Sequence, residues 1–92
     1  MALTFEWDRA KEKSNRKKHG VSFAEAATVF GDLFSVTITD PEHSESEHRF
    51  VLMGISVRGR LLVVTHAERR NNIRIISARL ALRRKRQSYE EK

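Results

Sequence analysis

The spacing of apolar residues changes character several times along this chain, and each change predicts an element. Leu3, Phe5 and Trp7 alternate with Thr4 and Glu6, the period-two pattern of a short strand. Asp8 can then cap a helix running to about Lys18. Ala10 is the lone apolar residue of that run, so the helix has to lie on the surface, covered only by the aliphatic stems of its lysines. Gly20 fits the left-handed position just past the helix end, which puts Lys17, Lys18 and His19 in the last turn, where the dipole favours cations. Ser22 and Glu25 have the spacing of a capping box. Phe23, Ala26, Ala27 and Phe30 follow at i, i+3, i+4, i+7 and form one apolar helical face, which Gly31 ends.

Beyond Gly31 the pattern is of β type. Leu33 to Thr39 predicts a strand with Phe34, Val36 and Ile38 on one face, ended by Asp40-Pro41. Glu42 to Ser46 is a polar loop. His48 to Val57 and Arg60 to Glu68 read as two long strands joined by a tight Arg58-Gly59 turn. That register sets Val51 opposite His66 and Arg49 opposite Glu68. Both faces of this hairpin carry apolar residues, so the pattern does not decide which one is core, and a bulge would change the parity. Arg69 to Asn72 makes a second turn into a strand Ile73 to Ile76, with Ile75 beside His66 and Arg74 on the opposite face. Ser77 can cap a last helix from Ala78 to about Tyr89. The order is one strand, two helices, a four-stranded meander and a C-terminal helix. The expected fold is therefore α+β, a single domain over residues 1–92, with an antiparallel sheet carrying helices on one side.

Composition narrows the function. A chain of 92 residues is one small domain. It has no cysteine, which rules out disulfides and thiolate metal sites. No apolar run is long enough to span a membrane, and MALTFEWDRAKEK has no signal-peptide pattern, so a cytoplasmic protein without a membrane partner is expected. Lys and Arg outnumber Asp and Glu by 18 to 12, and the excess favours a polyanionic partner. The charge is concentrated in Arg9 to Lys18 and in Arg69 to Arg86. Between these lie Asp40, Glu42, Glu45 and Glu47, either a docking loop or a solvated turn.

The cationic residues suit a phosphate backbone as the partner, and cleaving one without a metal or cofactor would need an attacking hydroxyl, cations for the charge on the phosphoryl oxygens and an acid for the leaving oxygen. His19 beside Lys18 is either a proton donor next to a phosphate-binding lysine or a cap over the last helix carbonyls. Glu47 and Arg49 are a carboxylate base beside a phosphate clamp, or members of cross-strand pairs in which Arg49 meets Glu68. His66 is a mid-strand residue placed near Arg49, or a core histidine. Arg74 interrupts Ile73, Ile75 and Ile76, and Arg79 is expected in a first helical turn where the dipole disfavours a cation. Both settings are unfavourable without an anionic partner. Arg83 to Arg86 form a basic helix face suited to steering RNA or docking a partner. The other reading of this surface is a non-catalytic basic module that binds DNA or a protein.

Several fragments in order carry a resemblance: FEWDRAK with Asn15, KHGVSF, Asp40-Pro41 followed by EHRF, GISVRGRLLVV, and IRIISAR with the distal Tyr89. Together they resemble the BrnT family of type II toxin–antitoxin modules, from about Phe5 to Tyr89. The resemblance implies a RelE-like fold and a ribonuclease toxin that arrests translation. It implies an RNA substrate and a cognate ribbon–helix–helix antitoxin in a 2:2 heterotetramer that reaches operator DNA through the antitoxin. It also favours the functional reading of His19. The expected catalytic set is Lys18, His19, Glu47, Arg49, His66, Arg74 and Arg79, with Lys17, Arg83 and Arg86 binding RNA and no metal ligands.

Overall fold

A computed structural model of the protein describes residues 3–40 and 48–82. Glu47, Arg83, Arg86 and most of the expected last helix lie outside these residues. The chain forms β1 (Thr4–Glu6), α1 (Arg9–His19), α2 (Phe23–Thr28) and a 3-10 turn at Val29–Gly31. These are followed by β2 (Val36–Thr39), β3 (Arg49–Ile55), β4 (Leu61–Arg69) and β5 (Asn72–Leu80). The five strands make one sheet in the order β1-β5-β4-β3-β2. The four-stranded meander is as expected, and β1 adds to its edge parallel to β5, pairing Phe5 with Ile73.

The local signals at α1 act as the sequence indicates. The Asp8 side chain accepts a hydrogen bond from the Lys11 backbone N–H, and Gly20 at φ 70° donates its N–H to the Arg16 carbonyl. With no apolar face, this helix is held by a polar residue. Asn15 is buried, and its carboxamide donates to Val21 O at 2.9 Å and Ala78 O at 2.8 Å while accepting from Ala78 N. On β5 the Asn15 side chain takes the place of the neighbouring strand that β1 is too short to supply.

α2 begins with the Ser22 hydroxyl accepting from Glu25 N, half of a capping box. The Glu25 carboxylate is used elsewhere. It accepts from Ser56 Oγ at 2.7 Å and Arg60 Nε at 2.9 Å, and an Arg60 Nη contacts its other oxygen. Glu25 is buried, and the Arg60 guanidinium holds its carboxyl below the usual range. This cluster bolts α2 to the tip of the β3–β4 hairpin.

The core lies between α2 and one face of the sheet. Val21, Phe23, Ala26 and Val29 pack on Leu52, Leu62, Val64, Ile73, Ile75 and Ala78. Phe5, Trp7 and Phe30 pack around them, with Trp7 edge-on to Phe23. Leu33 and Phe34, expected in a strand, are 94% and 77% exposed in a turn that precedes β2. There Asp32 takes the Phe34 and Ile55 N–H groups, a local bonding pattern that competes with strand pairing.

Two further expectations are corrected and a bulge is added, and all three bear on the site. The β3–β4 loop has three residues, Val57 to Gly59, closed by Ser56 N to Arg60 O and Gly59 N to Ser56 O, with Gly59 at φ 77°. The extra residue slips the register by one, so Arg49 pairs with Ala67 and His66 with Phe50. Second, Ser77 to Leu80 continue β5 and do not start a helix. Pairing along β4 overrides the helical preference of these residues. Ile75 lies beside His66 as expected, but a bulge interrupts the β4–β5 ladder there: Thr65 pairs with Ser77, leaving Ile76 as the extra residue.

Candidate active site

Cross-strand partners share a face of the sheet, so the register assigns every site residue to a side. The face turned to α2 carries Leu52, Leu62, Val64, Ile75 and Ala78. The outer face carries Arg49, Ala67 and Arg74 in one row, with Glu6 of β1 at its end. The next rows hold Thr65 with Ser77 and Val63 with Arg79. Arg74 and Arg79 are five residues apart, an odd interval that would set them on opposite faces of a regular strand. The bulge at Ile76 restores them to the same side. They stand about 13 Å apart along β5, with Ser77 between them.

The three arginines are half-buried, and Ala67 and Val63 between them are 1% and 5% exposed. Small and apolar residues at these positions leave room for the aliphatic stems of the arginines to lie on the sheet. Among the described residues, Asp8 is close enough to Arg74 for the guanidinium to help lower its carboxyl, after the larger effect of the Lys11 N–H bond.

Lys18 and His19 approach this face from its edge. A cleft of about 230 Å³ lies between α1 and β5, bounded by Lys11, Ser14, Asn15, Lys18 and His19 on one side and by Ile76 and Ser77 on the other. Ser77 belongs both to the cleft and to the arginine face. The cleft therefore opens onto the row between Arg74 and Arg79. Lys17 is exposed on α1 but does not line the cleft.

His66 is not part of this grouping. Its ring is 1% exposed on the core face, edge-on to Phe30 at 4.8 Å and stacked on Phe50 at 5.6 Å. Nε2 lies 3.0 Å from a Glu68 carboxylate oxygen, and Nδ1 is buried with no hydrogen-bond partner among the described residues. Burial lowers its pKa, with Glu68 opposing the shift. The expected place beside Arg49 followed from the register that the three-residue loop overturns. The sheet separates this ring from any phosphate on the arginine face. The expected Arg49–Glu68 pairing is lost for the same reason, since Glu68 is on the core side.

The arrangement brings together Lys18, His19, Arg49, Arg74 and Arg79. It can hold more than one phosphate and set an imidazole beside them. Sequence reasoning missed Lys11, Ser14, Ser77 and Glu6. The i, i+3, i+7 spacing of Lys11, Ser14 and Lys18 was the available signal for the first two. Among the described residues, no three His, Asp or Glu side chains are grouped to hold a metal ion, and no helix is long and apolar enough to cross a membrane.

Comparison with known proteins gives the same direction. The crystal structure of the Brucella abortus ribonuclease toxin BrnT is similar in fold, with a TM-score of 0.65 at 20% identity, covering 89% of this chain and all of that one. No curated protein matches the sequence. The family described as the ribonuclease toxin BrnT of type II toxin–antitoxin systems matches residues 7–85. That span is most of the protein, and on it the chain belongs to the BrnT family of ribonuclease toxins.

Proposed function

We propose that the protein is a metal-independent endoribonuclease whose site is the outer sheet face together with the α1–β5 cleft. The observation that carries this reading is the bulge at Ile76, which turns Arg74 and Arg79 to one side with Ser77 and the Lys18–His19 cleft between them. In the reaction the RNA 2′-hydroxyl attacks the adjacent phosphorus and the 5′-oxygen leaves, giving a 2′,3′-cyclic phosphate and a 5′-hydroxyl. Arg74, Arg79 and Lys18 carry the charge that builds on the phosphoryl oxygens. His19, as imidazolium, gives its proton to the leaving oxygen. Glu47 is the carboxylate the sequence offers to take the 2′-hydroxyl proton. Arg49 steers the strand from the far side of Ala67, with Lys17, Arg83 and Arg86 adding to the attraction. His66 has a structural role in this reading.

Cleavage by this toxin arrests translation, and a ribbon–helix–helix antitoxin neutralises it in a 2:2 complex that contacts operator DNA. These partner assignments rest on family resemblance. Purified protein is expected to cleave RNA in the presence of EDTA. Arg79→Ala should lower the cleavage rate by about 10²-fold or more, the loss typical of removing one preorganised donor to a developing charge. Full activity in Arg74→Ala, Arg79→Ala and His19→Ala alike would remove the site assignment. Salt-sensitive RNA binding with every RNA left intact, on and off ribosomes, would leave a binding module in place of the enzyme.

A further inference from the structure

The proposed reaction uses Lys18 and His19 but leaves the other end of the α1–β5 cleft unassigned. Lys11 and Ser14 lie there on the same side of the helix as Lys18. α1 carries cations both in and outside the cleft, and its one carboxylate, Glu12, is taken by Arg16 at 3.0 Å. The residues bounding the cleft include two lysines, a histidine and two serines and no acid. Ser77 faces them from β5. Lys11 and Lys18 leave the helix about 10.5 Å apart along its axis, so a strand passing along the cleft meets them in succession.

We propose that the Lys11 end of this cleft, with Ser14, binds a second backbone phosphate of the RNA strand, neighbouring the phosphate that is cut. Lys11 supplies the charge and Ser14 a hydroxyl donor. The inference rests on the ribonuclease reading for its ligand. It adds that the strand runs along α1 and is not held at the arginine face alone. A rigid seat suits this task, and the Asn15 bonds to Val21 and Ala78 fix α1 against β5.

The test uses the full chain and a fluorescent 2′-O-methyl RNA hexanucleotide, which has no nucleophilic 2′-hydroxyl. Binding is measured by anisotropy from low to moderate salt. Lys11→Ala should weaken binding about fivefold and reduce the slope of log affinity against log salt by about one phosphate contact. Lys13→Ala, on an exposed position outside the cleft, should leave the slope nearly unchanged. A neutral methylphosphonate walked along the hexanucleotide should weaken the wild type at one position where Lys11→Ala no longer responds. Lys11→Arg should restore both effects, and thermal melting confirms that the variants are folded. Equal slopes for wild type and Lys11→Ala, or equal losses at Lys11 and Lys13, would overturn the inference while RNA cleavage by the wild type still stands. Wild type that binds in this way yet cuts no RNA would overturn the ribonuclease reading and leave the phosphate site. Wild type that does not bind the hexanucleotide would overturn both.

Discussion

Truncation of Asn15 to alanine would strip the Val21 carbonyl and both backbone groups of Ala78 of the bonds they make to its carboxamide. Buried groups left without partners cost about 1–3 kcal/mol each, so Asn15→Ala should lose at least about 2 kcal/mol in urea unfolding. Asn15→Asp should fare no better, because a carboxylate cannot donate to the two carbonyls that the amide serves. His66 makes a pH-dependent contribution. Its pKa is lowered in the folded protein from an ordinary value of 6.5, so the unfolded chain binds the proton more tightly. Stability is then complete above about pH 6.5 and declines as pH falls towards the folded value, by up to about 1.4 kcal/mol per pH unit. His66→Phe should flatten that part of the stability curve between pH 7 and 5. An unchanged slope would mean that the imidazole does not titrate in this range.

At the level of elements, α2 is tied to the hairpin by more than apolar packing. Glu25→Ala would leave Ser56 Oγ and Arg60 Nε without their acceptor, while an Arg60 Nη keeps the Gly20 carbonyl, a loss of about 1–3 kcal/mol. The lowered carboxyl of Glu25 adds stability above its ordinary value of 4.5 that is lost as pH falls through the folded value. Denaturant midpoints at pH 7 and pH 4 should therefore differ less in Glu25→Ala than in wild type. Elements with purely local signals were legible in the sequence. Asp8, Gly20 and Ser22 bound their helices as their side chains and conformations dictate. The parts that depend on distant pairing were not. Ala78 to Leu80 carry helix-forming residues, yet β4 offers a full ladder and holds them extended. The one-residue slip at Val57 moved His66 from opposite Val51, on the same face as Arg49, to opposite Phe50, because every side chain on a strand changes face with its register. Arg74 could be picked out as a charge interrupting an apolar strand, whereas Arg79 stands out only in a helical turn that β5 replaces. Their common face could not be picked out, since the bulge that creates it has no signature in the residues around Ile76.

Across the whole molecule, the sheet divides the work. One side is closed by α2 and supplies the core, and the other carries the arginines. The positive charges therefore need no burial in the core. A core this small also leaves the fold open to stabilisation by a bound partner, as mass action requires. The excess of six positive charges draws RNA from a distance. In the proposed reaction, specific placement then falls to the few groups around Ser77.

The Asn15 side chain has a further effect, on how molecules of this protein treat one another. A strand margin with its amide and carbonyl groups unmet is a template on which another chain can build. β1 covers β5 only from Asn72 to Arg74. Past that point a single carboxamide occupies Ala78 at both its donor and its acceptor. The same contact that seats α1 thus also keeps copies of this protein from growing onto each other along β5.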